Sequence, residues 1–371
     1  MSGKIEPIVM PKWGLAMTEG TVVEWSVAEG DPVTPGQEIL EIETTKLANV
    51  FEAPTGGTLR RRVAGDGETL AVGALLAVIA DDDVGDDEID AFVSGFVVEV
   101  DEDADDAAGP EPQRIDAGGR SIRYLEVGAG EAAPVVLIHG FGADLGAWMF
   151  VQPGLAETSA TFALDLPGHG GSTKDVGGAT LADFADTVAA FMAALGIGSA
   201  HLVGHSLGGG VAIETALRFP ASVSSLSLVA PSGLGPEING AFIQGFIEAG
   251  RRKDLKPVLQ DLVADPSLIS RDMVNDVLKF KRLDGVIEGL TAISEAAFGG
   301  GRQQTVLADR LGEIACPMQV IWGADDKILP VSQAEAFSGG AHILADTGHM
   351  PHMEQAAEVT RLIAALIADS A

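Results

Sequence analysis

The chain of 371 residues holds a single cysteine, Cys316. No disulfide can form within it, and a zinc site built on several cysteines is excluded. Cations are scarce too: 23 Lys and Arg stand against 54 Asp and Glu, for a net charge of −31. Such a surface repels nucleic-acid phosphate and anionic lipid, so neither nucleic acid nor membrane is expected as a general partner. The opening Met1-Ser2-Gly3-Lys4-Ile5-Glu6-Pro7 lacks the apolar core of a secretion signal, and no apolar run is long enough to span a bilayer. A cytoplasmic location is therefore expected. No group of His, Asp and Glu has metal-ligand spacing, so no metal site is expected. What the chain does have is 46% hydrophobic residues, ample for buried cores, and a length that suggests two or three domains at ~150 residues each.

Charge is concentrated in one place. Asp81 to Asp106 holds 13 acidic residues and no basic one, and Gly109-Pro110-Glu111-Pro112 follows. Like charges repel and extend a chain, so residues 81–113 read as a linker between domains at 1–80 and 114–371. An apolar island interrupts it at Ile89-Asp90-Ala91-Phe92-Val93-Ser94-Gly95-Phe96-Val97-Val98. A short element packed back on a neighbouring domain is the expected reading, with a docking site for a partner as the alternative.

The first 80 residues repeat themselves. A shift of 37 lays Thr21 on Thr58, Gly30 on Gly67, Gly36 on Gly73 and Ile42 on Ile79, with Val22/Leu59, Glu29/Asp66, Asp31/Glu68, Val33/Leu70 and Ile39/Leu76 as similar pairs. Each copy reads as a strand, an acidic-Gly-acidic turn, a second Gly and another strand. Two copies too small to bury a face alone would close on each other as a quasi-symmetric β-sandwich. Alternation on both sides of Glu43-Thr44-Thr45-Lys46-Leu47 places Lys46 at an exposed hairpin tip. With Met10-Pro11-Lys12-Trp13-Gly14, Glu19-Gly20-Thr21, Glu29-Gly30-Asp31 and Ala53-Pro54-Thr55-Gly56, the segment 4–80 resembles the lipoyl domain of 2-oxo-acid-dehydrogenase-type complexes. That resemblance implies lipoate in amide linkage on Lys46. Biotinyl domains share the fold, but Thr45 and Leu47 stand where they usually carry methionine.

From Arg114 onward strands alternate with helices, the pattern of an open, mostly parallel α/β sheet. Pro134–His139, Thr161–Leu166, Ala200–Gly204 and Ser225–Val229 read as buried strands, and Leu181–Leu195 as an amphipathic helix. Gly204-His205-Ser206-Leu207-Gly208-Gly209 follows a strand and opens the helix Val211–Phe219, the context of a nucleophile elbow. His139-Gly140-Phe141-Gly142, Asp165-Leu166-Pro167-Gly168-His169-Gly170, a strand ending at Asp325-Asp326, and Thr347-Gly348-His349-Met350-Pro351-His352 follow in the order Ser…Asp…His. Residues 114–371 thus resemble the α/β-hydrolase fold. The resemblance implies Ser206 as nucleophile, His349 as base, Asp326 as the orienting carboxylate, and the backbone N–H groups of Phe141 and Leu207 as the oxyanion hole. Asp325 and His352 are the rivals for the acid and base. His139, His205 and His169 flank turns that they would shape, and His201 and His342 read as structural.

Between nucleophile and acid lies a segment from Ser232 to about Arg310, helical in pattern, expected to cap the site, select the acyl group and exclude water. It carries ten of the 23 basic residues, among them Arg251-Arg252-Lys253, Lys256 and Lys279-Phe280-Lys281-Arg282, beside 11 acidic ones. Arg251, Arg252 and Lys253 are candidate contacts for coenzyme A, with ordinary solvated helix faces as the alternative.

The whole chain resembles the dihydrolipoyl acetyltransferase components of acetoin-cleaving systems. The resemblance implies transfer of an acyl group, most simply acetyl, from lipoyl-lysine to coenzyme A. It also implies a thiamine-diphosphate-dependent E1 component and a dihydrolipoyl dehydrogenase as partners. The His-x-x-x-Asp-Gly signature of other such transferases is absent: Asp66-Gly67 and Asp284-Gly285 have Arg62 and Phe280 in place of the histidine. The acidic linker holds no basic three-helix peripheral-subunit-binding domain. Transfer would then fall to Ser206. The alternatives are a hydrolase tethered by a lipoyl domain, and a carrier subunit with a vestigial serine site.

Overall fold

The structure, a computed structural model, describes residues 5–11, 19–43, 48–81, 84–96 and 110–370. The chain divides into two compact units, one taking in Met1–Gly109 and the other Pro110–Ile269 and Val274–Ala371.

Eight strands build the first unit: β1 Ile5–Val9, β2 Glu19–Trp25, β3 Pro32–Val33, β4 Glu38–Glu43, β5 Ala48–Glu52, β6 Gly57–Arg62, β7 Thr69–Ala71 and β8 Leu75–Ala80. They form two four-stranded sheets, β1-β8-β6-β3 and β5-β4-β2-β7. The 37-residue repeat is visible in the hydrogen bonds. Gly30 N–H donates to the Leu59 carbonyl at 2.8 Å, and its counterpart Gly67 donates to Val22 at 2.6 Å. Leu59 N–H donates back to Asp31 at 3.0 Å, as Val22 does to Glu68 at 2.9 Å. Each copy's turn is therefore closed by the other copy's strand. Both glycines sit at positive φ, +91° and +80°, a region that side-chain-bearing residues avoid. Val22, Ile39, Leu40, Ile42, Leu59, Leu76 and Ile79 fill the space between the sheets.

β8 is buried along its whole length. Leu76, Ala77 and Ile79 face the sandwich, while Leu75, Val78 and Ala80 face outward with Ile5 and Val9 of β1. A helix, α1 (Asp86–Gly95), covers that outer face with fully buried Ile89 and with Phe92, Val93 and Phe96. Asp86, Asp87 and Glu88 occupy its first turn, where negative charge suits the helix dipole. Arg60 and Arg61 of β6 pair with Asp86 and Asp90. Here the expected linker 81–113 needs correction. Its first part is folded onto the first unit because β8 is apolar on both faces and would otherwise expose one to water. Its end is also too late, since β9 begins at Gln113. Of the apolar island, Val97 and Val98 lie outside the described residues.

The second unit is a seven-stranded, mostly parallel sheet ordered β11-β10-β12-β13-β14-β15, with β9 antiparallel to the start of β10. The strands are β9 Gln113–Ala117, β10 Arg120–Ile138, β11 Ser159–Leu164, β12 Ala200–His205, β13 Val223–Val229, β14 Met318–Gly323 and β15 Ala341–Leu344. Helices α2 (Gln152–Ala156), α3 (Leu181–Ala194) and α4 (Leu207–Arg218) precede the segment expected as a cap. That segment forms α5 (Gly240–Glu248), α6 (Arg252–Gln260), α7 (Arg271–Lys281) and α8 (Val286–Phe298). Helices α9 (Pro351–Glu354) and α10 (Ala356–Asp369) close the chain. The fold class is as the sequence implied: an all-β sandwich followed by an α/β-hydrolase fold with a helical insertion. Among the described residues no helix is long and apolar enough to cross a membrane, and no group of side chains could hold a metal ion.

Candidate active site

Ser206 stands at the turn from β12 into α4 with φ +52° and ψ −118°, a conformation that costs on the order of 1–3 kcal/mol for a residue with a side chain. The surroundings hold it there. Its N–H donates to Val229 at 3.0 Å, and its carbonyl accepts from Gly209 at 2.9 Å and Ser232 at 2.9 Å. The flanking glycines leave no room for alternatives. A Cβ on Gly204 would lie 2.3 Å from the Gly208 carbonyl oxygen, and one on Gly208 would lie 2.3 Å from that of Ile138.

His349 lies in the loop between β15 and α9. Its Nδ1 donates to Asp326 Oδ2 at 2.7 Å, with both side chains buried. Asp326 is held in turn: its Oδ1 accepts from the N–H groups of Ile328 (2.8 Å) and Leu329 (3.0 Å), and its Oδ2 from Trp322 Nε1 (2.9 Å). The rival Asp325 is exposed, and only its backbone is engaged, by Thr347 at 2.9 Å. The rival His352 is buried between Trp148 and His205, with neither ring nitrogen hydrogen bonded. Burial drives its pKa down to about 3, so it stays neutral and makes no contact with either aspartate that could orient it as a base.

With Nδ1 committed to Asp326, Nε2 is the nitrogen that His349 presents for proton transfer. Two contacts bring its loop to the elbow. His205, next to Ser206, donates through Nε2 to the His349 carbonyl at 2.8 Å, and the two rings lie 4.9 Å apart. Glu354 binds the other side of the loop, accepting from Gly348 N–H at 2.9 Å and from Ala264 N–H of the cap at 2.7 Å. Its carboxyl is half-buried, and burial raises its pKa.

The segment His139–Gly142 passes beside the serine: a Cβ on Gly140 would lie 3.1 Å from Ser206 Cβ. Its shape is fixed by neutral histidines. His139 accepts from Leu166 N–H at 3.0 Å through Nε2 and donates through Nδ1 to Gly140 at 2.8 Å. His169 accepts from Gly142 N–H at 3.1 Å and donates to Pro167 at 3.1 Å. Burial lowers the pKa of both rings, that of His169 further with His139 beside it. Phe141 sits within this braced segment. Leu207 opens α4, so its N–H has no carbonyl one turn earlier in the helix to accept it. The cap meets this segment through Phe246 and Phe298, whose rings stand edge-on to Phe141 at 5.8 and 6.0 Å. Lys281, buried, donates to the carbonyls of Phe246 and Ala249 at the end of α5 and lies over the Phe246 ring at 5.3 Å.

Ser206, His349, Asp326, Phe141 and Leu207 thus belong to one set of loops at the ends of β10, β12, β14 and β15. Sequence reasoning did not single out Trp322, Glu354 or Phe246, and it named Lys281 only among the basic residues of the cap. The first two stand within four residues of motifs it used, and Phe246 and Lys281 bear on the site only through packing. Arg251 and Arg252 line an open groove of about 480 Å³ with Gly250, Asn275, Leu278, Lys279 and Arg282; Lys253 is not part of it. Lys46, with Thr45 and Leu47, lies outside the described residues. The strands before and after it in sequence pair as far as Glu43 opposite Ala48.

Comparison with known proteins agrees with both halves. A family model described as alpha/beta hydrolase fold matches residues 133–356, and one described as biotin-requiring enzyme matches residues 6–79. A dihydrolipoyllysine-residue acetyltransferase component of the acetoin cleaving system from Cupriavidus necator is 47% identical over 365 residues, covering 98% of this chain and 97% of that protein. A protein of the same name from Pseudomonas putida is 45% identical over 367 residues, 98% of this chain and 99% of its own length. Among solved structures, a meta-cleavage product hydrolase from Pseudomonas fluorescens superposes with a TM-score of 0.64 at 23% identity, over 70% of this chain and 98% of that one, a likeness of fold.

Proposed function

Because the chain belongs to the dihydrolipoyllysine-residue acetyltransferase components of acetoin-cleaving systems, we propose that Ser206, His349 and Asp326 perform its acyl transfer, from a lipoyl thioester to coenzyme A. The observation that carries this reading is the 2.7 Å bond from His349 to buried Asp326, in a loop bound to the elbow of a strained serine.

Lipoate fits the first unit. Strands β4 and β5 pair as far as Glu43 opposite Ala48, and Lys46 lies between those two in sequence. When bound there, lipoate supplies a thiol that carries the acyl group as a thioester.

The site's residues act on such a thioester as follows. His349 Nε2 takes the Ser206 hydroxyl proton as Oγ attacks the acyl carbonyl carbon. Asp326 stabilises the resulting imidazolium through Nδ1–H. The N–H groups of Phe141 and Leu207 hold the oxyanion, a contribution of about 2.7–4 kcal/mol per donor in comparable sites. The carbon–sulfur bond then breaks, and His349 returns its proton to the departing thiolate, leaving an acyl-serine. The thiol of coenzyme A reverses these steps: it yields its proton to His349, its sulfur attacks the acyl carbon, and Ser206 regains its hydroxyl. The cap excludes water, which would otherwise make the site a hydrolase. As partners we assign a thiamine-diphosphate-dependent E1 and a dihydrolipoyl dehydrogenase, and as location the cytoplasm.

Acetyl-dihydrolipoamide offered to the purified chain with and without coenzyme A tests the reading. Acetyl-CoA formed by the unaltered chain and lost in Ser206→Ala supports it. Acetate alone, indifferent to coenzyme A, would make the site hydrolytic, and turnover of a reconstituted complex unchanged by Ser206→Ala would leave the chain a carrier only.

A further inference from the structure

We propose that the groove between the start of α6 and the end of α7 binds the phosphate-bearing nucleotide end of coenzyme A. The inference rests on coenzyme A being the acyl acceptor, and it places that acceptor's recognition on the cap. In a chain of net charge −31, four of the seven described residues that line this groove are cationic, Arg251, Arg252, Lys279 and Arg282, and none of those seven is acidic. Its volume of about 480 Å³ falls within the ~300–1,000 Å³ usual for small-molecule sites. Gly250 and Leu278 supply apolar lining against which a purine can rest.

Two ion pairs of these cations lie on exposed surface: Arg251 with Asp254 at 2.8 Å near the start of α6, and Lys279 with Asp276 at 2.8 Å along α7. Exposed pairs of this kind are screened by water and yield readily to a doubly charged phosphate gripped by guanidinium groups. Arg252 Nε donates to the neutral Asn275 Oδ1 at 3.1 Å, which aims the guanidinium along the groove wall without neutralising it.

The groove also connects to the chemistry. Arg282 follows Lys281, which grips the end of α5 through Phe246 and Ala249, and Phe246 packs on Phe141 of the oxyanion segment. A nucleotide held by α6 and α7 is therefore linked through Lys281 to α5, whose Phe246 meets the serine site's loop.

The test compares coenzyme A, dephospho-coenzyme A and pantetheine as acceptors for the full chain. Coenzyme A is expected to have the lowest KM and pantetheine the highest, by about tenfold or more. Arg252→Ala/Arg282→Ala, two exposed positions, should raise the KM for coenzyme A about tenfold while leaving kcat and the KM for pantetheine within twofold. Adenosine 3′,5′-bisphosphate should compete with coenzyme A in the unaltered chain and lose that effect in the double variant. A burst of acylation with p-nitrophenyl acetate reports that the variant's serine site is intact. Acetyl-CoA formed at an unchanged KM by the double variant would overturn the groove alone. Failure of the unaltered chain to form acetyl-CoA at all would overturn the transfer reading, and the groove with it.

Discussion

The ring of His205 donates through Nε2 to the carbonyl oxygen of His349 at 2.8 Å, tying the residue before Ser206 to the backbone of His349. An acceptor carbonyl requires a proton on Nε2. Burial and the neighbouring histidines hold the ring's pKa well below its ordinary value, so His205 serves as a neutral strut. The relative position of Ser206 and His349 thus depends on a bond made by neither side chain.

His205→Leu removes the donor while keeping apolar bulk. It is expected to slow acylation of Ser206 about tenfold through misplacement of the imidazole, with the KM for coenzyme A unchanged. His205→Gln, which retains an N–H, should recover part of the rate. Burst kinetics with p-nitrophenyl acetate read both; an unaltered burst rate in the leucine variant would remove the strut from the mechanism.

Asp326→Asn should lower the acylation rate by about 10³-fold or more, since an amide cannot orient and stabilise the imidazolium as a carboxylate does. Asp326 also accepts from three other N–H groups, so the amide would meet donors with a donor. Asp325→Asn, at an exposed neighbour, is expected to stay within twofold. A reversal of these two effects would exchange the residues' roles.

Acid should unfold the second unit early. His352 has its pKa lowered from 6.5 to about 3 by burial, so the unfolded chain takes up a proton below pH 6.5 that the folded chain refuses until about pH 3. Stability is therefore lost as pH falls through that window, by on the order of 2 kcal/mol at pH 5 from this ring. His352→Leu gives up no hydrogen bond, since neither ring nitrogen has one. Urea midpoints at pH 7 and pH 5 should lie closer together in the variant, and an equal gap would refute the assignment.

Ile89→Ala should destabilise α1 on its sheet by about 2–4 kcal/mol, the usual cost of emptying a fully buried site. Hydrogen exchange of β1 and β8 amides would rise in the variant, and limited proteolysis would begin to cut within α1. Cleavage near residue 81 in the unaltered chain would return α1 to the linker.

The sequence by itself determined every feature whose cause is local. The paired turns at Gly30 and Gly67 need a backbone that glycine favours, and the elbow at Ser206 needs small neighbours, so both are written as glycine spacing. The strand and helix periods set the two folds, and the order Ser206, Asp326, His349 followed from motifs along the chain. Tertiary structure decided what depends on residues far apart. Asp325 and Asp326 are chemically alike and adjacent, and only the packing of Trp322 and the turn at Ile328–Leu329 buries one and leaves the other in water. The unbroken apolar run of β8 held a signal that a second layer covers it, and the apolar island in the acidic stretch read as an element packed back on a neighbour; only the structure names β8 and β1 as that neighbour. The strut from His205 to His349 spans 144 positions, and the groove between α6 and α7 joins two helices through side chains that look solvated in sequence. Local pattern fixes backbone conformation because sterics act between neighbours. Burial, partner choice and charge clustering emerge only when the folded chain brings distant residues within hydrogen-bond reach.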